Sequence, residues 1–348
     1  MKTKTQVIKP GGYKSPLNHA ATEEAVQFIK DTFSKKLAEK LLLKRVTAPL
    51  MLAHGTGVND DLNGVEKPVS FLIKDMDGAK AEVIQSLAKW KRQKLGALGY
   101  EAGYGLYTDM QALRPDEVLS NVHSVFVDQW DWEKVIRISD RNIEFLKSTV
   151  SKIYEAVKET EMQLVSMFPV LRAFLPDSIY FIHAEELLRK YPELTPKERE
   201  DRISREKGAV FIIGIGAKLS DGKEHDLRAP DYDDWSTEIT REKKGLNGDI
   251  LVWNPILQRA FEISSMGIRV DKIALEWQLA ALGLTERLKL SWHKALVEGK
   301  LPQTVGGGIG QSRLSMLLTQ KAHIGEVQPG LWPDAMLAEC REANIELL

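Results

Sequence analysis

Four glycines in five residues, Gly306-Gly307-Gly308-Ile309-Gly310, run straight into Gln311-Ser312-Arg313. Backbone without Cβ atoms can lie close against a ligand. An arginine just past it can meet a phosphate or stack on a base. A second arginine motif, Arg114-Pro115-Asp116-Glu117, lies upstream. After a short linker it is followed by the strand-like run His123-Ser-Val-Phe-Val-Asp-Gln-Trp-Asp-Trp-Glu133. The glycine run is not a P-loop, because no Gly-Lys-Ser/Thr follows it. Taken singly, the glycines also fit a tight turn before a helix, and Arg114 fits a surface arginine at a strand end.

Around these motifs the pattern alternates strand and helix. Residues 1–18, with Pro10, Gly11, Gly12 and Pro16, read as a flexible lead-in, and 19–348 as a single domain. Val26, Ile29, Phe33, Leu37 and Leu41 mark one face of a helix over 21–43. Strands are expected at 68–74, 81–85, 104–114, 124–134, 178–183, 208–216, 249–253 and 260–269. Ser86 is placed to cap a helix running to Leu98. Further helices are expected at 139–168, up to 206, and near 271–282 and 285–298. The charged, glycine-containing stretch 217–247 reads as a long functional loop. The sum is an α+β class with a mainly antiparallel sheet flanked by helices.

Composition excludes several classes. The formal net charge is −1, from 48 basic and 49 acidic side chains. A protein that grips nucleic-acid backbone usually shows a basic excess, so no nucleic-acid partner is expected. No apolar run approaches a membrane span, and no signal-like core follows Met1. The single cysteine, Cys340, cannot form an intramolecular disulfide, which suits a reducing cytoplasm. The seven histidines show no metal-site spacing.

Several polar residues stand out by type and position. Gln129 and Asp131 share a face of the strand 124–134, with Asp128, Trp130 and Trp132 on the other. That pairing suggests a buried polar site. Asp249 and Glu262 fall on adjacent expected strands. Magnesium is often held by one or two carboxylates together with substrate phosphates. Asp60 sits in the glycine-rich loop 55–64, where it reads either as a site carboxylate or as a turn aspartate.

Arg-x-x-Glu, a strand, and a distant Gly-x-Gly-x-x-Arg resemble motifs 2 and 3 of class II aminoacyl-tRNA synthetases. The wider chain resembles the ammonia-dependent (A-type) asparagine synthetases, the aspartate–ammonia ligases, which carry that core without a tRNA-binding module. The matching segments are Gly55-Thr-Gly-Val-Asn-Asp-Asp-Leu-Asn-Gly64, Ser86-Leu-Ala-Lys-Trp-Lys-Arg-Gln93, Gly105-Leu-Tyr-Thr-Asp-Met-Gln-Ala-Leu-Arg-Pro-Asp-Glu117 and Asp128-Gln-Trp-Asp-Trp-Glu133. Further on come Lys218-Leu-Ser-Asp-Gly222, Ala229-Pro-Asp-Tyr-Asp-Asp-Trp-Ser236, Leu246-Asn-Gly-Asp249 and Phe261-Glu-Ile-Ser-Ser-Met-Gly-Ile-Arg-Val-Asp271. One departure is Gln85, where bacterial members have histidine before Ser-Leu-Ala-Lys.

The resemblance implies a sheet of six to eight strands that binds a bent ATP and activates aspartate as β-aspartyl-adenylate, releasing AMP and pyrophosphate. It implies ATP contacts from Arg114, Asp249, Glu262, Ser265, Gly308, Gly310 and Arg313, with Asp249 and Glu262 holding Mg²⁺. It assigns Ser86, Lys91, Gln129, Asp131 and Asp233 to the amino-acid pocket, and Asp60, Arg114 and Arg313 to catalysis. It also implies a homodimer paired through about residues 21–52. Cys340 is far from the position of an amidotransferase nucleophile, so free ammonia is the expected nitrogen donor. Two rival readings stay open: a relative that activates another amino acid, and a non-catalytic regulator that binds amino acid or nucleotide.

Overall fold

Asn18 accepts a hydrogen bond from the Ala21 amide (2.9 Å) and so caps the first long helix, α1 (His19–Leu41). Its apolar stripe, including Ile29, Phe33, Leu37 and Leu41, is fully buried. Each such side chain contributes roughly 1.5–3 kcal/mol. The computed structural model describes residues 7–60, 62 and 66–348. The strands are β1 (Leu43–Arg45), β2 (Met51–Ala53), β3 (Ser70–Ile73), β4 (Ala79–Val83), β5 (Gly105–Leu113), β6 (Phe126–Val135), β7 (Tyr180–His183), β8 (Ala209–Ile213), β9 (Glu238–Thr240), β10 (Lys243–Lys244), β11 (Asn247–Asn254), β12 (Arg259–Ile268) and β13 (Thr304–Gly310). The other helices are α2 (Ala88–Ala97), α3 (Ile143–Met167), α4 (Ala184–Lys190), α5 (Pro196–Lys207), α6 (Lys272–Ala281), α7 (Ser291–Val297), α8 (Gln311–Leu318) and α9 (Asp334–Glu342).

Eight strands form one sheet in the order β1-β5-β6-β13-β12-β11-β8-β7. Only the outer pairs, β1 with β5 and β7 with β8, are parallel. The α+β expectation, a mainly antiparallel sheet with helices packed on it, holds. One face of the sheet presents Trp130, Trp132, Ile250, Val252, Phe261, Met266 and Ile309 to α1 and α3. The side chains between them point the other way and form the floor of a cavity. Along β6 the polar Gln129, Asp131 and Glu133 alternate with Trp130 and Trp132, so here the sheet separates an oily face from a polar one.

Three features depart from simple sequence reading. The glycine run reads as a turn, yet Thr304–Gly310 is a central strand between β6 and β12. Its residues are glycine because the strand packs under large neighbours. A Cβ on Gly306 would meet the Glu133 carboxylate and Arg269, and one on Gly308 would meet the Gln129 amide. Second, β12 carries an extra residue. Glu262 faces Leu251 but Ser264 faces Ile250, so the register shifts at Ile263. The bulge lets Glu262 and Ser265, three apart, share the cavity face while Phe261, Ile263, Met266 and Ile268 stay in the core. Third, the stretch 7–18 is packed against the chain. Tyr13 is buried and donates to Glu326 (2.8 Å), and the Ile8 amide donates to Asn121 (2.7 Å). Residues 1–6 of the expected lead-in lie outside the described residues.

The apolar stripe of α1, which the resemblance puts at a dimer contact, is covered within its own chain by α3, α8 and the sheet. Exposed apolar side chains gather instead near the small sheet β2-β4-β3, at Leu50, Met51, Phe71 and Leu72. Among the described residues no helix is long and apolar enough to cross a membrane.

The tight seating of β13 makes a test. A Cβ on Gly307 would fall 2.7 Å from the Ser265 carbonyl oxygen and against the Met266 Cβ, atoms fixed in the neighbouring strand. Gly307→Ala is therefore expected to destabilise the fold by about 1–3 kcal/mol. Urea denaturation measures it, and an unchanged midpoint contradicts this packing.

Candidate active site

The polar face of β6, β13 and β12, with α2, the loop between β2 and β3 and the loop 217–237, encloses a cavity of about 350 Å³. That size is within the usual range for a small-molecule site. Of the thirteen residues expected at the site, eleven line it: Asp60, Ser86, Arg114, Gln129, Asp131, Asp233, Glu262, Ser265, Gly308, Gly310 and Arg313. Lys91 and Asp249 stand one layer behind.

Under the floor runs an unbroken chain of buried charges of alternating sign. Lys91 is fully buried and holds Asp131, with a further bond to the Trp132 carbonyl (2.9 Å). The same ammonium lies 3.8 Å from Glu133. Glu133 is gripped by Arg269 at 2.8 Å and accepts from Thr304 at 2.6 Å. Arg269 also binds Asp233. The other oxygen of Asp233 lies 3.6 Å from Arg228, and Arg228 binds Asp249 at 2.5 Å. Four carboxylates (Asp131, Glu133, Asp233, Asp249) thus meet three cations (Lys91, Arg269, Arg228), and −4 + 3 leaves −1.

The titration of these groups reflects burial set against their cationic neighbours. Burial opposes the charge of Glu133, but Arg269 and Lys91 outweigh it and hold the carboxyl below its usual range. At Asp131 and Asp233 burial wins over Lys91 and Arg269, and both carboxyls are pushed up. Burial pushes Asp249 up to about 6 against the pull of Arg228, with the Glu262 charge adding to the rise. The floor is set to receive a positive group.

The opposite end of the cavity is cationic. Arg114 donates to the Gln85 carbonyl at 3.1 Å. Burial lowers its pKa, and the neighbouring Arg313 adds to the fall while Glu117 and Asp60 oppose it. Arg313 donates to the backbone carbonyls of Val122 and Glu262, both at 3.3 Å. His123 lines the same end. Burial, reinforced by Arg313, Arg259, Lys197 and Arg114, drives its pKa down to about 3, so its ring is neutral at pH 7. Two guanidiniums with a neutral imidazole at one end of the cavity favour an anion there.

Asp60 lies at the junction of the two ends, buried, with its carboxylate accepting from the Leu62 amide (3.2 Å). Its charge is felt by Arg114 and by Tyr232, whose hydroxyl is pushed well above its ordinary pKa by burial and then by Asp60. Gln85 is fully buried beside it. The Gln85 backbone amide donates to Asn59 (3.0 Å), and its side-chain amide has no hydrogen-bond partner among the described residues.

A divalent cation fits this cavity through Glu262. Among the described residues no three His, Cys, Asp or Glu side chains gather into a metal cluster. Glu262 faces the cavity partly exposed beside Arg313 (3.9 Å), while Asp249 is engaged by Arg228. One carboxylate completed by ligand phosphates is an ordinary magnesium environment.

Arg228, Arg269, Tyr232 and His123 line the cavity and were not singled out from the sequence. Arg269 and His123 lie inside the quoted motifs, but nothing in their spacing points inward. Tyr232 also lies inside a quoted motif, whereas Arg228 sits just before it in the long loop, which reads as functional by its length and its aspartates.

A family model described as aspartate-ammonia ligase matches residues 20–344. An aspartate–ammonia ligase from Parabacteroides distasonis is 55% identical over 342 residues, covering 98% of this chain and 99% of the relative. One from Clostridium tetani is 50% identical over 348 residues, covering 100% and 99%. Among solved structures, asparaginyl-tRNA synthetase from Pyrococcus horikoshii complexed with asparaginyl-adenylate superposes with a TM-score of 0.65 at 16% identity, over 90% of this chain and 70% of that one. The Entamoeba histolytica asparaginyl-tRNA synthetase gives 0.63 at 15%, over 89% and 66%. At those identities the likeness shows the shared fold, of which this chain spans about two thirds.

Proposed function

The chain belongs to the aspartate–ammonia ligase family, and on that premise we propose that it makes L-asparagine from L-aspartate, ammonia and ATP through β-aspartyl-adenylate. The observation that carries the reading is the polarity of the cavity: a floor one positive charge short, and an opposite end with two guanidiniums. An amino acid is an ammonium beside carboxylates, and ATP is a chain of phosphates. The two ends suit those two ligands in one continuous space.

In this reading Asp131, Asp233 and Gln129 receive the substrate α-ammonium. Lys91 positions Asp131 and, being fully engaged beneath the floor, does not itself touch substrate. The β-carboxylate oxygen attacks the α-phosphorus, a new O–P bond forms, and pyrophosphate leaves. Arg114 neutralises the charge that builds on the α-phosphate, and Arg313 binds the nucleotide at the same end, with Ser265, Gly308 and Gly310 alongside. Magnesium, when bound, supplies charge neutralisation at the phosphates, with Glu262 as its protein ligand and Asp249 behind it. Ammonia then attacks the acyl carbon and AMP departs. Asp60, at the junction of the two ends, holds ammonium and takes the proton.

Two outcomes are expected. With aspartate, ammonium and ATP, the enzyme yields asparagine, AMP and pyrophosphate in equal amounts, as read by chromatography of the products. ADP and phosphate as stoichiometric products would contradict the adenylate.

The second concerns Asp60→Asn, which keeps the shape but removes the charge and the base. It is expected to retain aspartate-dependent ATP–pyrophosphate exchange while asparagine formation falls by about 10²–10⁴. An equal loss in both reactions would make Asp60 an aspartate-binding residue instead.

A further inference from the structure

Arg228 is the one cation in the buried chain that touches both halves of the cavity. Its Nη2 binds Asp249 at 2.5 Å, its Nη1 binds the Ser265 hydroxyl, and its Nε lies 3.6 Å from Asp233. Asp249 and Ser265 are direct neighbours across β11 and β12, on the nucleotide side. Asp233 lines the amino-acid side, with its other oxygen held by Arg269. The Arg228 side chain is only 10% exposed, and its stem lies on Gly216, where a Cβ would come within 2.8 Å of the Arg228 Cβ. Packing therefore limits this guanidinium to a small region between two competing sets of acceptors.

We infer that Arg228 is a positioning residue that couples the two subsites, so that aspartate and nucleotide bind with positive cooperativity. The inference rests on the aspartate-and-ATP reading of the cavity. An ammonium at Asp233 satisfies that carboxylate and weakens its hold on Arg228. The guanidinium then turns its charge to Asp249, Ser265 and the incoming phosphates. In reverse, phosphates draw Arg228 away from Asp233 and leave that carboxylate free for the ammonium. Both directions have the same sign, as linkage requires. A residue with a merely structural role would alter stability or a single affinity, not the ratio between them.

The test is calorimetric titration of L-aspartate with and without a saturating non-hydrolysable ATP analogue, and the reciprocal titration. In the unaltered enzyme the Kd for aspartate is expected to fall by about 5–150-fold with the analogue bound, and the analogue's Kd by the same factor with aspartate bound. Arg228→Lys keeps the charge but loses the fork that reaches both sides, and the factor is expected to fall to about twofold or less. An undiminished factor in Arg228→Lys overturns the inference, as does an unaltered enzyme that binds both ligands independently. If Arg228→Lys does not fold, Ser265→Ala removes one of the competing acceptors and reads the same quantity. A reduced factor there supports the coupling and an unchanged one overturns it. An enzyme that binds neither aspartate nor nucleotide sinks the functional reading itself, which separates that failure from a failure of the coupling alone.

Discussion

Seven ionisable side chains of alternating sign lie buried in contact beneath the cavity, from Asp131 through Lys91, Glu133, Arg269, Asp233 and Arg228 to Asp249. Burying any one of them alone would cost several kcal/mol. They persist because each inner member has an opposite charge on both sides. The chain joins α2, β6, the residue just after β12, β11 and the loop 217–237, elements far apart in sequence, so correct assembly of the sheet and correct assembly of the floor are one event. Removing an inner member would strand two partners, and such breaks in buried pairs are strongly destabilising.

The rest of the architecture makes room for this chain. The glycines of β13 exist where Glu133, Gln129 and Met266 need their volume, and the bulge in β12 brings Glu262 and Ser265 to one side. On the opposite face the tryptophans of β6 pack beneath α1 and α3, away from the charges. An oily face and a charged face on one sheet thus follow from strand alternation, adjusted at two places. The surplus negative charge faces the cavity at Asp131 and Asp233, and the positive charge of Arg114 and Arg313 stands across from it.

Much of this was legible in the sequence. The strand 124–134 gave Gln129 and Asp131 a common face, and the two arginine motifs marked the cationic end. Capping residues such as Asn142 and Asp271 start helices close to where the apolar patterns place them. What was not legible has physical causes. Gly306–Gly310 lacks the side chains that advertise a strand, because its neighbours fill that space. Ser265 falls on the cavity face only through the bulge, which strict alternation conceals. Lys91 looks like a substrate contact until its depth is known, since a lysine's partner depends on which carboxylate the fold brings to it. Arg228 and Arg269 pair with acids that are 5 to 136 residues away, distances at which no local pattern operates.

In the proposed reading, a floor short of one positive charge takes the substrate's ammonium as its missing member. The direct measurement is calorimetric titration of L-aspartate against succinate, which keeps both carboxylates and the carbon chain but lacks the amine. Losing a hydrogen-bonded charge typically costs about 1.5–3 kcal/mol, so succinate is expected to bind roughly 10–150-fold more weakly. Succinate binding as tightly as L-aspartate would contradict the charge-deficient floor.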